Sequence, residues 1–251
     1  MRLAGNTALI TGGATGIGLA LAEGFLAAGS EVVICGRRES RLLEAQRRRP
    51  GLHARTCDVA NPADCKALAQ WAAEKFKSLN LFVNNAGIQR DIDFTRGADE
   101  FLSGQSEIRI NLQAPILLSG LFVPQLIGKP QAAIVNVTSG LGFAPAARMP
   151  VYSATKAAMH AFSMALRHQL KRVGIRVIEI VPPAVDTELN PEGRAQRGNF
   201  RAGLDAGTFV AAAMKELARG ADEIGYGTGA SMLNASRAEL DAAFERMNSR
   251  W

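Results

Sequence analysis

The chain is poor in aromatic residues, cysteine and long apolar runs, and each shortage excludes a class of protein. No apolar run approaches the roughly 18–20 residues that span a bilayer, so we expect no transmembrane helix. The cysteines Cys35, Cys57 and Cys65 lack CxxC spacing, which suits a reducing interior rather than a disulfide framework. We see no signal peptide before the first strand-like run, and we expect a cytoplasmic protein without a metal site.

What is abundant is small and aliphatic. Aromatic residues are only 6% of the chain and hydrophobic residues are 47%. Small side chains allow helices to pack closely on a sheet, as in layered α/β proteins. At 251 residues the chain can bury a substantial core, and we expect one globular domain over residues 1–251.

The charge balance is basic, with 29 Lys and Arg against 23 Asp and Glu. Nucleic-acid binding is one interpretation of the arginine cluster in residues 37–55. The cluster lacks interleaved aromatic residues, helix-turn-helix spacing and zinc spacing, so we expect no nucleic-acid partner. A solvated helix face with an anion site is the favoured interpretation. The cluster contains Arg37, Arg38, Arg41, Arg47, Arg48, Arg49 and Arg55.

Apolar runs alternate with helical periodicity along most of the chain. The pattern predicts strands at residues 7–10, 31–35, 54–57, 81–83, 133–137 and 175–181. It predicts helices at about 17–27, after the second strand, after Asn61-Pro62, at 107–127 and at 151–173. Strand after helix after strand, without hairpin dipeptides, favours a doubly wound parallel (Rossmann) α/β sheet.

Residues 183–207 break this alternation because Pro182, Pro183 and Pro191 occur there among glycines and charges. A loop of this length in a compact fold is usually functional, so we predict a substrate loop. A disordered surface excursion is the alternative.

Residues 11–18 form a glycine-rich turn between the first predicted strand and the first helix. The spacing is Gly-x-x-x-Gly-x-Gly, through Gly12, Gly16 and Gly18. Glycines at such a turn allow the backbone to approach a pyrophosphate lying on the helix N-terminus. The turn therefore predicts a dinucleotide site.

The second predicted strand ends without the carboxylate that often binds the adenosine ribose in dinucleotide folds. Gly36 occupies that place and Arg37 and Arg38 follow. Arginines there suit a ribose 2′-phosphate, so we predict NADP(H) in preference to NAD(H). Ordinary arginines at a helix start are the alternative.

Tyr152 and Lys156 lie four residues apart in a predicted helix and therefore share one face. A free tyrosine has a pKa of about 10, and bringing it near neutrality needs roughly 4 kcal/mol. One cation about 4 Å away, at an effective dielectric of about 20, supplies that much. The pair predicts a general acid/base, although an aromatic core residue beside a surface lysine would give the same pattern.

Taken together, these motifs resemble the short-chain dehydrogenase/reductase family over about residues 6–189. Asp58-Val59 and the run from Asn84 to Gly87 also match family motifs, while Pro183 stands where a glycine is usual. The resemblance implies the catalytic residues Asn111, Ser139, Tyr152 and Lys156. The predicted cofactor-binding residues are Gly12, Thr15, Gly16, Ile17, Gly18, Arg37, Arg38, Asp58, Val59, Asn85, Ala86, Gly87, Tyr152, Lys156, Pro182 and Thr187.

The resemblance implies hydride transfer between NADP(H) and a carbonyl/alcohol substrate. Tyr152 would exchange the proton, while Lys156 would lower the Tyr152 pKa and bind the nicotinamide ribose. Ser139 would hydrogen-bond the developing alkoxide, and Asn111 would support a water relay. A strand-end cap at Ser139 and an ordinary helix polar residue at Asn111 are the structural alternatives. The functional alternative is a non-catalytic NADP(H)-sensing protein, which would be expected to lose the Tyr/Lys pair.

The sequence also predicts a pocket and an assembly. Substrate-lining candidates are Gln89, Arg90, Asp91, Phe143, Met149 and the loop after Pro182. The helices at 107–127 and 151–173 are apolar on more than one face, and in the resembled family they pair across a two-fold axis. We therefore expect a homodimer or homotetramer. The residues that indicate this are Ile116, Leu121, Val123, Met159, Phe162 and Met164.

The tail from Glu223 onward lacks the family's frequent closing Asp-Gly-Gly strand. Together with residues 182–189, it is similar to oxidoreductases associated with bacterial lipoteichoic-acid alanylation genes. This resemblance does not name a substrate.

Overall fold

The computed structural model describes residues 1–196, 198 and 203–249. In this part of the chain a parallel sheet has the strand order β3-β2-β1-β4-β5-β6-β9, and β7 and β8 form a separate short pair. The strands are β1 (Thr7–Thr11), β2 (Glu31–Gly36), β3 (Leu52–Thr56), β4 (Leu81–Asn84), β5 (Ala133–Val137), β6 (Arg176–Val181), β7 (Val185–Asp186), β8 (Leu204–Asp205) and β9 (Glu223–Gly225).

Helices cover both faces of the large sheet. Asn61 caps one of them as predicted, because its side chain accepts a hydrogen bond from the Ala63 backbone N–H and Pro62 begins the helix. The helices are α1 (Gly16–Ala27), α2 (Glu39–Arg48), α3 (Pro62–Lys75), α4 (Asp99–Leu102), α5 (Ala114–Leu126), α6 (Pro150–Leu170), α7 (Pro191–Gln196), α8 (Ala206–Arg219), α9 (Thr228–Leu233) and α10 (Arg237–Asn248).

The central strands are apolar along their whole length because both of their faces are covered. Every residue of β1, β4 and β5 is buried. One face packs Ile10 against Phe25 of α1, and the opposite face packs Leu9 in a cluster with Phe82 and Phe122. Phe82 of β4 stacks on Phe122 of α5 with ring centroids 4.4 Å apart. The predicted doubly wound α/β fold is confirmed.

Two long helices agree with the sequence pattern, with one local change. Residues 107–126 are continuously helical, but the portion Arg109–Gln113 is a π-helix that precedes α5. Helix α6 ends at Leu170 and a 3₁₀ turn continues to Val173. Among the described residues, no helix is both long and apolar enough to cross a membrane.

The tail corrects one expectation. Although it lacks the Asp-Gly-Gly sequence, Glu223–Gly225 forms β9 and pairs in parallel with β6, with Ile224 opposite Ile180. The strand is only three residues long, and it depends on β6 beside it rather than on a local sequence pattern. The tail therefore supplies the edge strand of the sheet, beside β6.

The predicted loop at 183–207 is partly regular. It contains β7, α7 and β8, with Val185 and Asp186 opposite Leu204 and Asp205. Positions 197 and 199–202 lie outside the described residues.

The strand order reverses between β1 and β4, since β2 and β3 lie on one side of β1 and β4, β5 and β6 on the other. In doubly wound sheets, ligands bind at such a switch point, outside the carboxyl ends of the strands. The predicted site residues follow the carboxyl ends of β1 to β6, so the fold gathers them along one edge of the sheet.

Candidate active site

The glycine-rich turn between β1 and α1 leaves no room for a side chain at Gly12 or Gly18. Gly12 has a φ of +64°, and a Cβ added there would lie 2.9 Å from Ala86 Cα. A Cβ at Gly18 would lie 2.3 Å from the Gly12 carbonyl oxygen. The close approach of bare backbone at the start of α1 is the shape that fits a dinucleotide pyrophosphate, and Thr15 and Ile17 lie in the same turn.

The end of β4 is tied to this turn by hydrogen bonds. Thr11 Oγ1 accepts from the backbone N–H groups of Asn85 and Ala86, both at 3.0 Å. Asn85 Nδ2 donates to the carbonyl oxygens of Thr11 at 2.9 Å and Gly12 at 3.2 Å. Asn85 was predicted to bind the cofactor, but its side-chain amide donates to the backbone of the glycine turn. Gly87 follows, and a Cβ there would lie 3.3 Å from Asn111 Oδ1.

Asp58 and Val59 follow β3 on the same edge of the sheet. The Asp58 backbone N–H donates to Asp64 Oδ2, and Asp58 Oδ1 accepts from the Ala60 N–H, each at 3.0 Å. Val59 is buried in the apolar cluster that contains Leu9. The pair is fixed by its own loop and by the start of α3.

Arg37 and Arg38 are both exposed where β2 gives way to α2. Arg37 forms no hydrogen bond or ion pair with the described residues, whereas Arg38 Nη1 lies 2.7 Å from Glu188 Oε2. Arg41 also reaches Glu188, with Nη2 2.9 Å from Oε1. A Cβ added at Gly36 would meet no atom of the described residues within 4 Å, so these residues leave the space beside Gly36 open.

Tyr152 and Lys156 are buried on one face of α6, 6% and 5% exposed. Lys156 Nζ donates to the Val137 carbonyl oxygen at 2.9 Å and lies 5.6 Å from the centroid of the Tyr152 ring. The ammonium is therefore held at the end of β5, beside the ring.

Burial dominates the titration of both groups. It raises the pKa of Tyr152 to about 12, with the nearby Glu107 acting in the same direction and a hydrogen bond with Ser139 opposing it. It also lowers the pKa of Lys156 to about 8, against the attraction of Glu179. The expected lowering of the Tyr152 pKa by Lys156 is not found: burial raises this pKa, and Lys156 is not among the groups that shift it.

Ser139 has two partners at the end of β5. Its Oγ accepts from the Leu141 N–H at 3.1 Å and so caps the 3₁₀ turn Gly140–Gly142. The same hydroxyl hydrogen-bonds with Tyr152. The cap and the contact to the phenol therefore coexist.

Asn111 lies in the π-helical portion and is 1% exposed. Its amide exchanges two hydrogen bonds with the Ile88 backbone, both 2.8 Å, and donates to Thr155 Oγ1 at 3.3 Å. These contacts tie the segment after β4 to α6. Asn111 thus contacts Thr155, the residue before Lys156, and it lies in a π-turn, a feature frequent at functional sites.

The substrate-lining candidates have structural partners. The Arg90 guanidinium donates to the carbonyl oxygens of Glu100 and Gln105 and holds the segment around α4. Asp91 Oδ1 accepts from Asn190 Nδ2 at 2.8 Å. The Phe143 ring lies 4.5 Å from the His160 ring, centroid to centroid. Gln89 is half-buried after β4, and Met149 immediately precedes α6.

Pro182 and Thr187 follow β6. The Pro182 carbonyl oxygen accepts from the Gly140 N–H at 3.5 Å, which joins this strand end to the turn that Ser139 caps. Thr187 lies against the glycine turn, because a Cβ added at Gly16 would be 2.9 Å from Thr187 Cγ2. Both residues therefore line the same edge as the glycines.

The sequence interpretation missed two buried acids near the site. Glu107 is 2% exposed; its Oε1 accepts from the Arg90 N–H at 3.0 Å, and its Oε2 has no hydrogen-bond partner among the residues that the structure describes. Burial raises the pKa of Glu107 to about 7. Glu179 is fully buried, accepts from Thr138 Oγ1 at 2.7 Å and lies 2.8 Å from His160 Nδ1. An acid inside the apolar run of β6 was a visible signal for Glu179.

Comparison with known proteins identifies the family of the chain. The family described as short chain dehydrogenase matches residues 6–198. "Uncharacterized oxidoreductase DltE" from Bacillus subtilis (strain 168) is 47% identical over 249 residues, covering 99% of both chains. This similarity confirms the predicted resemblance to oxidoreductases associated with bacterial lipoteichoic-acid alanylation genes.

Solved structures match over nearly the whole chain. A short chain dehydrogenase/reductase from Burkholderia phymatum in complex with NAD has a TM-score of 0.82 at 23% identity, covering 99% of this chain and 97% of that one. A short chain dehydrogenase from Burkholderia cenocepacia J2315 in complex with NADP has a TM-score of 0.79 at 27% identity, covering 97% and 99%. The chain therefore belongs to the short-chain dehydrogenase family of oxidoreductases.

Proposed function

We propose that the protein transfers a hydride between NADP(H) and a carbonyl/alcohol substrate. One observation carries this proposal: Tyr152, Ser139 and Lys156 meet at the carboxyl end of β5, along the same sheet edge as the glycine turn. Relatives of known structure hold NAD or NADP, which supports a nicotinamide dinucleotide as cofactor here. The intact Tyr/Lys pair favours an enzyme over the non-catalytic sensing protein.

The glycine turn, Thr187 and the arginines after β2 would hold the dinucleotide, and Lys156 would bind its nicotinamide ribose. The nicotinamide, when bound, supplies or accepts the hydride. With a pKa of about 12, Tyr152 keeps its proton at neutral pH and can donate it to a carbonyl oxygen as the hydride reaches the carbon. Ser139 donates a hydrogen bond to the same oxygen as negative charge develops there.

The Lys156 ammonium lies 5.6 Å from the centroid of the Tyr152 ring, beside the phenol that gives up its proton. Because the pKa of Lys156 is about 8, most of its ammonium is charged at pH 7. Asn111 hydrogen-bonds both Ile88 after β4 and Thr155 of α6, and so holds these two parts of the site together. The segment at 183–207, which includes Thr187, is proposed as the substrate loop.

The preference for NADP(H) rests on Gly36 and Arg37. A charged hydrogen bond contributes about 1.5–3 kcal/mol, which corresponds to roughly ten- to hundredfold in affinity at about 1.4 kcal/mol per tenfold. Titration of the purified protein with NADPH and NADH in the same salt tests the preference. Equal affinities, or tighter binding of NADH, would contradict it.

A screen of carbonyl and alcohol compounds, followed through the absorbance of the reduced cofactor, tests the catalytic proposal. Turnover of any compound supports an enzyme. Tight cofactor binding without turnover across the screen favours the sensing protein instead.

We also propose a homodimer or homotetramer built on the outer faces of α5 and α6. Ile116 is 42% exposed and Met164 is 52% exposed, although both are large apolar residues. Pairing of these helices with a second copy would cover them. Light scattering at micromolar concentration tests this, and a monomer would contradict it. Cytoplasmic localisation stays a prediction.

A further inference from the structure

The segment at residues 185–194, here called the crossing segment, touches three separate parts of the nucleotide side. Thr187 lies against Gly16 at the start of α1. Glu188 pairs with arginines at the start of α2. Asn190 donates to Asp91 after β4. The crossing segment therefore runs over the edge of the sheet where the dinucleotide is proposed to bind.

The crossing segment is braced from within. Arg194 Nη1 donates to the Thr187 carbonyl oxygen at 3.0 Å and lies 3.2 Å from Asp186 Oδ1, and Nη2 donates to the Val185 carbonyl oxygen at 2.9 Å. These bonds hold residues 185–187, immediately before Glu188. Because the backbone just before Glu188 is held in this way, the Glu188 side chain has a fixed starting point beside α2.

Glu188 uses each carboxylate oxygen on a different arginine. Oε2 lies 2.7 Å from Arg38 and Oε1 lies 2.9 Å from Arg41. Arg38 is the N-cap of α2 and Arg41 lies one turn further on, so the two guanidinium groups meet on one side of the helix start. Arg37 stands beside them without a partner among the described residues.

Carboxylates and phosphates compete for the same arginine geometry, since both accept charge-assisted hydrogen bonds from guanidinium groups. We propose that Glu188 is a specificity-determining residue, whose carboxylate occupies the arginine pair that a ribose 2′-phosphate would bind. This inference rests on the proposed binding of NADP(H) at these arginines. NADP(H) must then displace Glu188 or share Arg38 and Arg41 with it, whereas NAD(H) leaves the ion pairs intact.

The ion pairs are weak enough to be displaced. The three side chains are between 42% and 55% exposed, and exposed pairs contribute little. Glu188 therefore reduces the NADP(H) preference without abolishing it. We expect Glu188→Gln to tighten NADPH binding about three- to tenfold and to change NADH binding less than about twofold.

The experiment measures dissociation constants of NADPH and NADH for the wild type, Glu188→Gln and the control Glu192→Gln. Glu192 is exposed in α7 within the same crossing segment, so the control removes the same charge from the same region. A selective gain for NADPH in Glu188→Gln alone supports the inference. An equal gain for both cofactors, or the same gain in Glu192→Gln, overturns it as a general charge effect.

The same data separate the inference from the proposed function. A wild type that prefers NADPH, with an unchanged ratio in Glu188→Gln, overturns the role of Glu188 alone. A wild type that prefers NADH contradicts the proposed cofactor, and a selective NADPH gain in Glu188→Gln would still support the competition. In an Arg38→Gln background the effect of Glu188→Gln should shrink; an undiminished effect there would overturn the pairing as its cause.

Discussion

The two ends of the proposed site handle charge in opposite ways. At the nucleotide end, Arg37 and Arg38 are exposed, and Arg38 has an exposed ion-pair partner. At the catalytic end, Lys156, Glu107 and Glu179 are each at most 5% exposed. Exposed charges attract a ligand reversibly and at little cost to the fold. Buried charges cost stability, and in return their protonation is set by the protein.

The largest expected effect comes from the buried end. Tyr152→Phe removes the exchangeable proton and almost no volume, so turnover should fall by about 10²–10⁴-fold while cofactor affinity is retained. The rate is measured with a compound found in the carbonyl/alcohol screen. Tyr226→Phe is the matched control, because Tyr226 is 37% exposed and lies beside Phe209. Near-normal turnover by Tyr152→Phe would remove Tyr152 from the chemistry.

The next effect concerns the stability cost of a buried acid. Folding raises the pKa of Glu107 from 4.5 to about 7, so between these values the folded protein keeps a proton that the unfolded chain loses. Stability from this group therefore falls as pH rises from 4.5 to 7. At about 1.36 kcal/mol per pKa unit the loss amounts to at most roughly 3 kcal/mol.

Glu107→Gln should remove this pH dependence, because an amide does not titrate. The variant should keep the local structure, since the amide has the same shape and its oxygen can still accept the hydrogen bond from the Arg90 N–H. Denaturant unfolding from pH 4 to pH 8 measures the free energy of unfolding for both proteins. The gain of the variant over the wild type should be near zero at pH 4 and largest above pH 7. Exposed Glu245→Gln serves as the control. A gain that does not vary with pH would exclude Glu107 as the source.

The smallest effect is expected at the exposed end. Arg37→Gln should weaken the binding of NADPH about ten- to hundredfold and leave the affinity for NADH unchanged, since one charged hydrogen bond contributes about 1.5–3 kcal/mol. Arg47→Gln removes the same charge from the far end of α2 and should change neither affinity. If both variants lose NADPH affinity equally, the loss reflects the net positive charge of this surface and not a specific contact of Arg37 with the 2′-phosphate. Salt should reduce the Arg37 effect, because exposed charges are screened.

Much of the fold could be predicted because its signals are local. Strand β5 has the predicted bounds, and the Asn61 cap and the helix over residues 107–126 follow from neighbouring residues. Tyr152 and Lys156 share a face because they lie four apart on α6. In contrast, β9 was missed, because three residues carry no periodicity and the strand depends on β6 beside it.

The sequence alone was enough to predict the alternation of β1 to β6 with helices, the glycine turn and the polar residues that follow the strand ends. These depend on side-chain period, turn chemistry and spacing along the chain. The tertiary structure brings Glu188 to Arg38 and Arg41, which are far away in sequence. It also leaves Glu107 Oε2 without a hydrogen bond from any part of the chain that the structure describes. It also decided that the pKa of Tyr152 rises, because desolvation sums over every element packed around the phenol and no local motif records that sum.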